Sequence, residues 1–252
     1  MTSFEIFELG DHALVATAVG AVSFETQQRI WQIGDLALGW PEVDEAIPGM
    51  NNITLAFDPL ATDLDALRAK LERACMPLDT EPSGDPVSTS STNDTAVQAF
   101  DSTHTSIAAA AHREPLPARG RLVELPVHYG GIDGPDIEAV AQHAGLSVEA
   151  LIERHAAAEY TVYFLGFQPG FAYLGGLDPA LVTPRRKEPR LRVPAGSVGI
   201  GGEQTGVYPT VSPGGWQLIG RTTAVLFDPG RDPPSLLEPG DRVRFVPIGG
   251  TP

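Results

Sequence analysis

The segment from Tyr163 to Arg221 restricts the possible folds of this chain more than any other part of the sequence. Between Gly166 and Gly220 it contains 12 Gly and 7 Pro in 55 residues, against roughly 7% Gly and 5% Pro in average proteins. Aromatic and branched aliphatic residues alternate with them, which is not typical of a disordered segment. We therefore predict an ordered, tightly turned β structure. Loops that require unusual backbone angles often hold a ligand.

Residues 1–79 combine strand-like and helix-like patterns and predict a small α+β domain. The strand-like segments are Glu5–Leu9, Ala13–Val19 and Asn52–Phe57. Ser23 and Thr62 are placed to cap two helices, because the apolar residues that follow each of them fall at helical spacing.

Residues 80–120 interrupt this pattern. The stretch from Ser83 to Thr95 consists almost entirely of Ser, Thr, Asp, Asn, Gly and Pro. Such a composition offers little apolar surface to bury, so we predict a flexible linker between two domains.

Residues 121–252 predict a second, mainly-β domain that includes helices. Leu122–Val127 is strand-like, and Gly134-Pro-Asp136 and Ser147 each precede a short helical pattern. From Tyr160 onward, short strands alternate with Gly/Pro turns as far as the strand-like segment Asp241–Pro247. Many short strands of this kind are typical of a β-barrel or a sandwich.

The charge is unevenly distributed along the chain. The net charge is −15, and residues 1–118 carry 18 acidic but only 5 basic side chains. This excess of negative charge argues against a nucleic acid or an anionic membrane as partner. The one basic cluster is Arg185–Arg192, which holds five positive charges in eight residues.

Composition also indicates the compartment. No apolar run approaches the ~18 residues of a membrane span. Met1–Gly10 contains acidic residues and no basic one, so we expect neither a signal peptide nor a transit peptide. Cys75 is the single cysteine, which excludes an internal disulfide and is expected to be a structural thiol. Together these features predict a cytoplasmic protein.

Several common catalytic signatures are missing from the sequence. There is no G-x-x-x-x-G-K-[ST] motif, and no two of the six His have zinc-ligand spacing, so we expect no metal. Ser197 does not lie in a nucleophile-elbow motif. Gly199-x-Gly201-Gly202 resembles part of a nucleotide-binding turn but does not lead into a capped helix. No nucleophile–base pair can be assigned, so the catalytic residues stay unknown at this point.

What remains is a set of groups suited to recognition, all in the turn-rich region. Amide and guanidinium groups can bind a carboxylate or a phosphate, aromatic rings can wall a pocket, and glycine amides can cradle an oxyanion. We prefer Arg186 as the anion-binding group. The alternative is that the glycines shape turns, the aromatics form core, and the basic run is a solvated loop. The candidate substrate-binding residues are Gln168, Arg185, Arg186, Gln204, Tyr208, Trp216 and Arg221, and the candidate oxyanion-binding amides are those of Gly199, Gly201 and Gly202.

The same region resembles the family that includes the B subunit of 5-oxoprolinase, allophanate hydrolase subunit 1 and KipI-type inhibitors of a sporulation kinase. The resemblance covers nearly all of Leu122–Ile248 and is looser in the N-terminal part. The motifs that carry it include Pro126-Val-His-Tyr129, Phe164-Leu-Gly-Phe-Gln-Pro-Gly-Phe-Ala-Tyr-Leu174, Thr183-Pro-Arg-Arg186, Gly196-Ser-Val-Gly-Ile-Gly-Gly202 and Ser212-Pro-Gly-Gly-Trp216.

The resemblance implies a cyclophilin-like β-barrel in residues 121–252 and a second cyclophilin-like chain, the C subunit or subunit 2, as partner. It further implies a hetero-oligomeric hydrolase, with a third, A subunit, that uses ATP to open 5-oxo-L-proline to L-glutamate. We expect this chain to be inactive alone. Two alternatives stay open: a carboxyltransferase component of the allophanate hydrolase or urea carboxylase type, and a KipI-like binding inhibitor of a histidine kinase. There is no Met-Lys pair, so any biotin would be carried elsewhere.

Overall fold

A computed structural model describes residues 3–76 and 120–249. Apart from Gly120, the predicted linker lies outside the described residues. The N-terminal part, residues 3–76, forms a four-stranded antiparallel sheet in the order β1-β2-β4-β3 with two helices. Its elements are β1 (Phe4–Glu8), β2 (Ala13–Ala18), α1 (Phe24–Ala37), β3 (Glu45–Pro48), β4 (Asn52–Ala56) and α2 (Leu64–Cys75).

Side-chain caps explain where the two helices begin. The Ser23 hydroxyl accepts a hydrogen bond from the Thr26 amide at 3.1 Å, as predicted for α1. The prediction that Thr62 caps α2 was wrong by one residue. Asp63 holds that position and accepts from the Ala66 amide at 3.1 Å, and a carboxylate also interacts favourably with the positive end of the helix dipole.

The two helices pack one face each on the sheet and enclose a single apolar core. Leu14, Ile30, Leu55, Leu67 and Leu71 are fully buried in this core. Cys75 lies at its edge, and burial raises the pKa of the Cys75 thiol to about 11. A thiol that stays protonated at neutral pH is a poor nucleophile, in agreement with the predicted structural role.

The C-terminal part, residues 120–249, is mainly β with two helices. Its strands are β5 (Leu122–Tyr129), β6 (Tyr160–Leu165), β7 (Ala172–Gly175), β8 (Arg190–Val193), β9 (Ser197–Gly201), β10 (Gln204–Val207), β11 (Ser212–Gly214), β12 (Gln217–Arg221) and β13 (Arg242–Pro247). Its helices are α3 (Ile137–Ala144) and α4 (Val148–Ala157), with a 3-10 turn at Pro179–Leu181.

Seven of these strands close into a barrel, in the order β10-β7-β6-β13-β5-β12-β9. Strands β13 and β5 pair in parallel and the other barrel neighbours are antiparallel. Strands β8 and β11 form a separate two-stranded ribbon. The barrel predicted from the sequence is confirmed, while the cyclophilin-like designation and the domain boundaries stay predictions.

A buried hydrogen-bonded chain crosses the barrel interior. The Thr205 hydroxyl donates to the Gly199 carbonyl at 3.0 Å, so it accepts from His155 Nε2 at 2.9 Å. Nδ1 of His155 is then unprotonated and accepts from the Tyr129 hydroxyl at 2.8 Å. His155 is completely buried and stacks on Phe245. This series of hydrogen bonds therefore fixes one neutral tautomer of the imidazole inside an apolar core.

Helix α1 is tied to the barrel through a single backbone carbonyl. The Tyr163 carbonyl, in β6, accepts from Trp31 Nε1 at 2.7 Å and from Gln27 Nε2 at 3.3 Å. Both donors are on α1, so two directed hydrogen bonds hold this helix against β6. No helix in the described part of the chain is both long and apolar enough to cross a membrane.

Candidate functional site

The glycines of β9 and β10 provide space for the ring of Trp216. A Cβ at Gly201 would collide with the indole nitrogen of Trp216, and at Gly199 and Gly206 it would lie 3.2 Å from atoms of the same side chain. Trp216 is accordingly buried against the outer face of the barrel. The glycine-rich pattern in these strands is thus explained by close packing of an aromatic ring.

An aromatic–arginine cluster covers this face of the barrel. We define it as Phe171, Tyr173, Arg185, Tyr208 and Trp216. The rings of Phe171 and Trp216 meet edge to face with centroids 5.5 Å apart, and the Tyr208 ring lies 5.3 Å from Phe171. The exposed Arg185 guanidinium lies 5.8 Å from the Trp216 ring centroid, in cation–π geometry.

Arg186 and Arg190 are held by a buried carboxylate that is not among the predicted site residues. Asp136 Oδ1 accepts from Arg190 Nη2 at 2.8 Å and from Arg186 Nη1 at 3.2 Å. Its Oδ2 accepts from the Leu218 amide at 2.7 Å. The sequence marks Asp136 only as a helix start, because its two arginine partners are 50 and 54 residues away. The one signal in the sequence that could have indicated this pairing is an acidic residue at a helix start in a chain that has a single basic cluster.

The remaining candidate residues are engaged in local contacts. The Gln168 Oε1 atom accepts from the Thr210 hydroxyl at 2.9 Å. Arg221 donates from Nε to the Ala195 carbonyl at 2.9 Å. The Gly202 amide donates to the Thr183 carbonyl at 2.8 Å. Gly199 and Gly201 lie within β9, which is paired on both sides. These three glycines therefore do not form an open cradle of backbone amides.

Gln204 lies apart from the aromatic–arginine cluster, in a cleft of about 490 Å³. The cleft is lined by residues of both parts of the chain, and Tyr163 and Glu203 contribute its other polar side chains. Of the seven predicted substrate-binding residues, the structure brings Arg185, Tyr208 and Trp216 together and places Gln204 in the cleft. The cleft is lined by Val22, Met50, Tyr163, Leu174, Gly175, Gly176, Leu177, Pro179, Val182, Gly201, Glu203 and Gln204.

The histidine in the barrel core is not available as an acid or a base. Burial lowers the pKa of His155 to about 3, so this imidazole is neutral at physiological pH and shielded from any ligand. Among residues 3–76 and 120–249, no cluster of three or more His, Cys, Asp or Glu could hold a metal ion. The arrangement is suited to binding through guanidinium, amide and aromatic groups.

Fold and surface together define a barrel-containing α+β protein equipped for recognition. The sequence model of the family described as "Carboxyltransferase domain, subdomain C and D" matches residues 4–237. The chain belongs to this family. It is 47% identical over 240 residues to a protein named as the B subunit of 5-oxoprolinase, from Escherichia coli O157:H7, across 95% of this chain and 94% of that protein.

Solved structures show the same fold within longer chains. The crystal structure of TTHA0988 matches with a TM-score of 0.68 and 33% identity, over 95% of this chain and 40% of that one. The K. lactis urea amidolyase matches with a TM-score of 0.69 and 19% identity, over 97% of this chain and 15% of that one. This chain thus spans less than half of each of these two larger proteins.

Proposed function

We propose that this chain is the B subunit of a 5-oxoprolinase complex that opens 5-oxo-L-proline to L-glutamate at the expense of ATP. The observation that carries the proposal is the extent of the similarity to the Escherichia coli 5-oxoprolinase protein, which covers 95% of this chain and 94% of the relative. Both the N-terminal sheet and the barrel fall within a match of that extent. The chain is therefore similar to the relative as a whole and not only in the turn-rich segment.

The recognition groups suit such a substrate. A lactam is stable at neutral pH, so opening it requires activation of its carbonyl, for which ATP is the chemical means. The complex must then hold a carboxylate and a phosphate, and Arg185 is an exposed guanidinium without an ion pair or hydrogen bond among the described residues. Arg186 stays a predicted anion-binding residue, but Asp136 competes for its guanidinium.

ATP does not fit the glycine segment of this chain. The Gly202 amide is used by Thr183, and no step of the reaction is derived from a nucleotide bound there. We propose that catalysis requires the second cyclophilin-like chain, and that a third chain, the A subunit, completes the complex in the cytosol.

Reconstitution tests this function. The chain is co-expressed with its partner subunits, and ATP-dependent formation of L-glutamate from 5-oxo-L-proline is measured. We expect turnover from the complex, and none from the purified chain alone or from the complex without ATP. Sustained turnover by the chain alone, or a fully assembled complex without any turnover, would contradict the proposal.

A second candidate is a carboxyltransferase component acting on urea or a related amide. It is favoured by the description of the family, and a urea amidolyase shares the fold. Supplying the complex with a biotin carboxylase, biotin carrier, bicarbonate and urea distinguishes the two. Carboxylation of urea without opening of 5-oxo-L-proline would replace the first proposal by the second.

A further inference from the structure

The cleft between the N-terminal sheet and the barrel has a mixed polar and apolar lining, contributed by both parts of the chain. Val22 and Met50 come from the N-terminal part, while Leu174, Leu177 and Val182 come from the barrel side. Its volume of about 490 Å³ falls in the range of pockets that hold small ligands. Space and apolar surface are therefore available for a compact ring.

Three polar side chains in this cleft have no hydrogen-bond or ion-pair partner within the described residues: Tyr163, Glu203 and Gln204. The polar atoms of these three side chains are also not among the buried atoms that lack a partner. They are therefore accessible from the cleft or from solvent. Arg186 and Arg190, by contrast, are already paired with Asp136. The cleft thus collects unused amide, hydroxyl and carboxylate groups, and no Lys, Arg or His of the described residues lines it.

The walls of the cleft are fixed before any ligand arrives. Trp31 and Gln27 hold the Tyr163 backbone carbonyl. The Tyr163 ring lies directly over Gly175, where a Cβ would overlap the ring. A side chain fixed in this way at both backbone and ring needs little reorganisation on binding, which favours affinity.

We propose that this cleft binds the cyclic amide of the substrate, with Gln204 as the specificity-determining residue. The inference rests on the proposed function for the identity of the substrate. A lactam ring forces its amide into the cis form, so that N–H and C=O point to the same side. The Gln204 carboxamide offers the complementary acceptor and donor, and the pair can form two parallel hydrogen bonds. Tyr163 packs its ring beside the apolar methylenes of the lactam.

Glu203 sets the direction in which the substrate enters. It is the one charged side chain among the described residues that line the cleft, and a carboxylate repels the carboxylate of 5-oxo-L-proline. The substrate's carboxylate is therefore directed out of the cleft, and the lactam enters first. This orientation leaves the carboxylate accessible to a cationic group of a partner chain.

Binding to the full-length chain is measured by NMR titration, with 2-pyrrolidinone as the neutral lactam probe and 5-oxo-L-proline as the anionic one. We expect chemical-shift changes centred on Gly175, Gly201 and Gln204. Gln204→Ala weakens 2-pyrrolidinone binding about ten-fold, since two hydrogen bonds are lost. The matched control is Gln142→Ala, which removes an exposed amide on α3 and leaves binding unchanged.

The charge argument predicts an effect of opposite sign. Glu203→Gln strengthens binding of 5-oxo-L-proline several-fold but leaves 2-pyrrolidinone unaffected, because only the acid carries a like charge. Glu153→Gln, an exposed position on α4, changes neither. Shift changes confined to the aromatic–arginine cluster, or equal affinities for wild type and Gln204→Ala, would overturn the proposal.

The reconstituted complex separates this inference from the proposed function. If the complex turns over 5-oxo-L-proline and Gln204→Ala raises KM about ten-fold, both stand. If it turns over with KM unchanged in Gln204→Ala, the cleft proposal fails and the function stands. If a fully assembled complex shows no turnover, the function fails, and the shift map with the Gln204 and Glu203 variants still decides whether the cleft binds a lactam.

Discussion

Arg185 and Arg186 are adjacent in sequence but have different surroundings. Arg186 shares Asp136 with Arg190, whereas Arg185 is exposed over the Trp216 ring. An anion arriving at Arg186 competes with a buried carboxylate, whereas Arg185 has no such partner among the described residues. This difference is not visible in the sequence, where both residues belong to one basic run.

We predict that Arg185→Lys raises the KM of the reconstituted complex for 5-oxo-L-proline by roughly ten-fold. A lysine keeps the charge but loses the planar fork that binds a carboxylate through two bonds and stacks on an indole. Steady-state kinetics provide the measurement. Arg192→Lys, at an exposed position of the same basic cluster, is the control and leaves KM unchanged. Equal effects of the two substitutions would mean that Arg185 is only a solvated residue.

His155 makes stability depend on pH. Its pKa is lowered by burial from an ordinary 6.5 to about 3, so the unfolded chain binds a proton that the folded chain rejects. The contribution of His155 to the free energy of unfolding is therefore at its maximum above pH 6.5. It decreases as the pH falls from 6.5 toward 3, by up to ~1.4 kcal/mol per pH unit. Urea unfolding at a series of pH values measures this slope.

The substitution His155→Gln isolates the histidine contribution from that of the many carboxylates. Between pH 6.5 and 3, we expect the slope of the unfolding free energy against pH to be smaller in this variant by the amount that corresponds to one bound proton. His143→Gln, at an exposed position of α3, is the control and keeps the wild-type slope. A His155→Gln protein with the wild-type slope would show that the imidazole is protonated in the folded state.

At the scale of elements, the start of α3 anchors the basic cluster Arg185–Arg192. Asp136 precedes the helix and accepts one backbone and two guanidinium hydrogen bonds. We predict that Asp136→Asn lowers the free energy of unfolding by about 2 kcal/mol, because a neutral amide cannot balance two partly buried guanidinium groups. Urea denaturation measures the change. Asp133→Asn is the control, since Asp133 lies 4.0 Å from the exposed Arg221; a similarly small loss for both would contradict the prediction.

Local signals predicted the helices and located five strands, β1, β2, β4, β5 and β13, whereas β6–β12 were predicted only as a series of short strands. Ser23, Ser147 and the left-handed Gly145 mark helix ends in both sequence and structure. Strand β3 was missed because it has only four residues and ends in Pro48, at the edge of its sheet. The barrel order could not be derived, since β13 pairs in parallel with β5 from the far end of the C-terminal part.

The candidate site was harder to predict than the fold for a related reason. The sequence indicates which residues can bind a ligand but not which of them are already used by one another. Asp136 occupies two of the five basic residues of the run. Of the three glycines predicted to bind an oxyanion, Gly199 and Gly201 make room for Trp216. Gln204 lies in the cleft, but its neighbours Val22 and Met50 come from a part of the sequence that carries no signal of a site.

At the scale of the whole molecule, the cleft exists only while the N-terminal sheet stays against the barrel. Two hydrogen bonds to the Tyr163 carbonyl contribute to that contact, and the shorter one comes from Trp31. The carbonyl is buried, so losing this donor costs more than the loss of an exposed bond. Among the described residues, the hydrogen bonds between the two parts of the chain are thus concentrated on one carbonyl.

We predict that Trp31→Phe weakens this contact and loosens the cleft. The aromatic volume is largely retained but the 2.7 Å bond is lost, so the overall stability falls by about 1–2 kcal/mol. In differential scanning calorimetry we expect the N-terminal part to unfold in a separate, earlier transition. Trp40→Phe is the control, because Trp40 is partly buried against the N-terminal core and its substitution lowers stability without separating the transitions. The same Trp31→Phe protein should also bind 2-pyrrolidinone more weakly, since the Tyr163 wall is no longer held. A single transition at the Trp40→Phe temperature, with unchanged lactam binding, would show that the two parts are held together by other contacts.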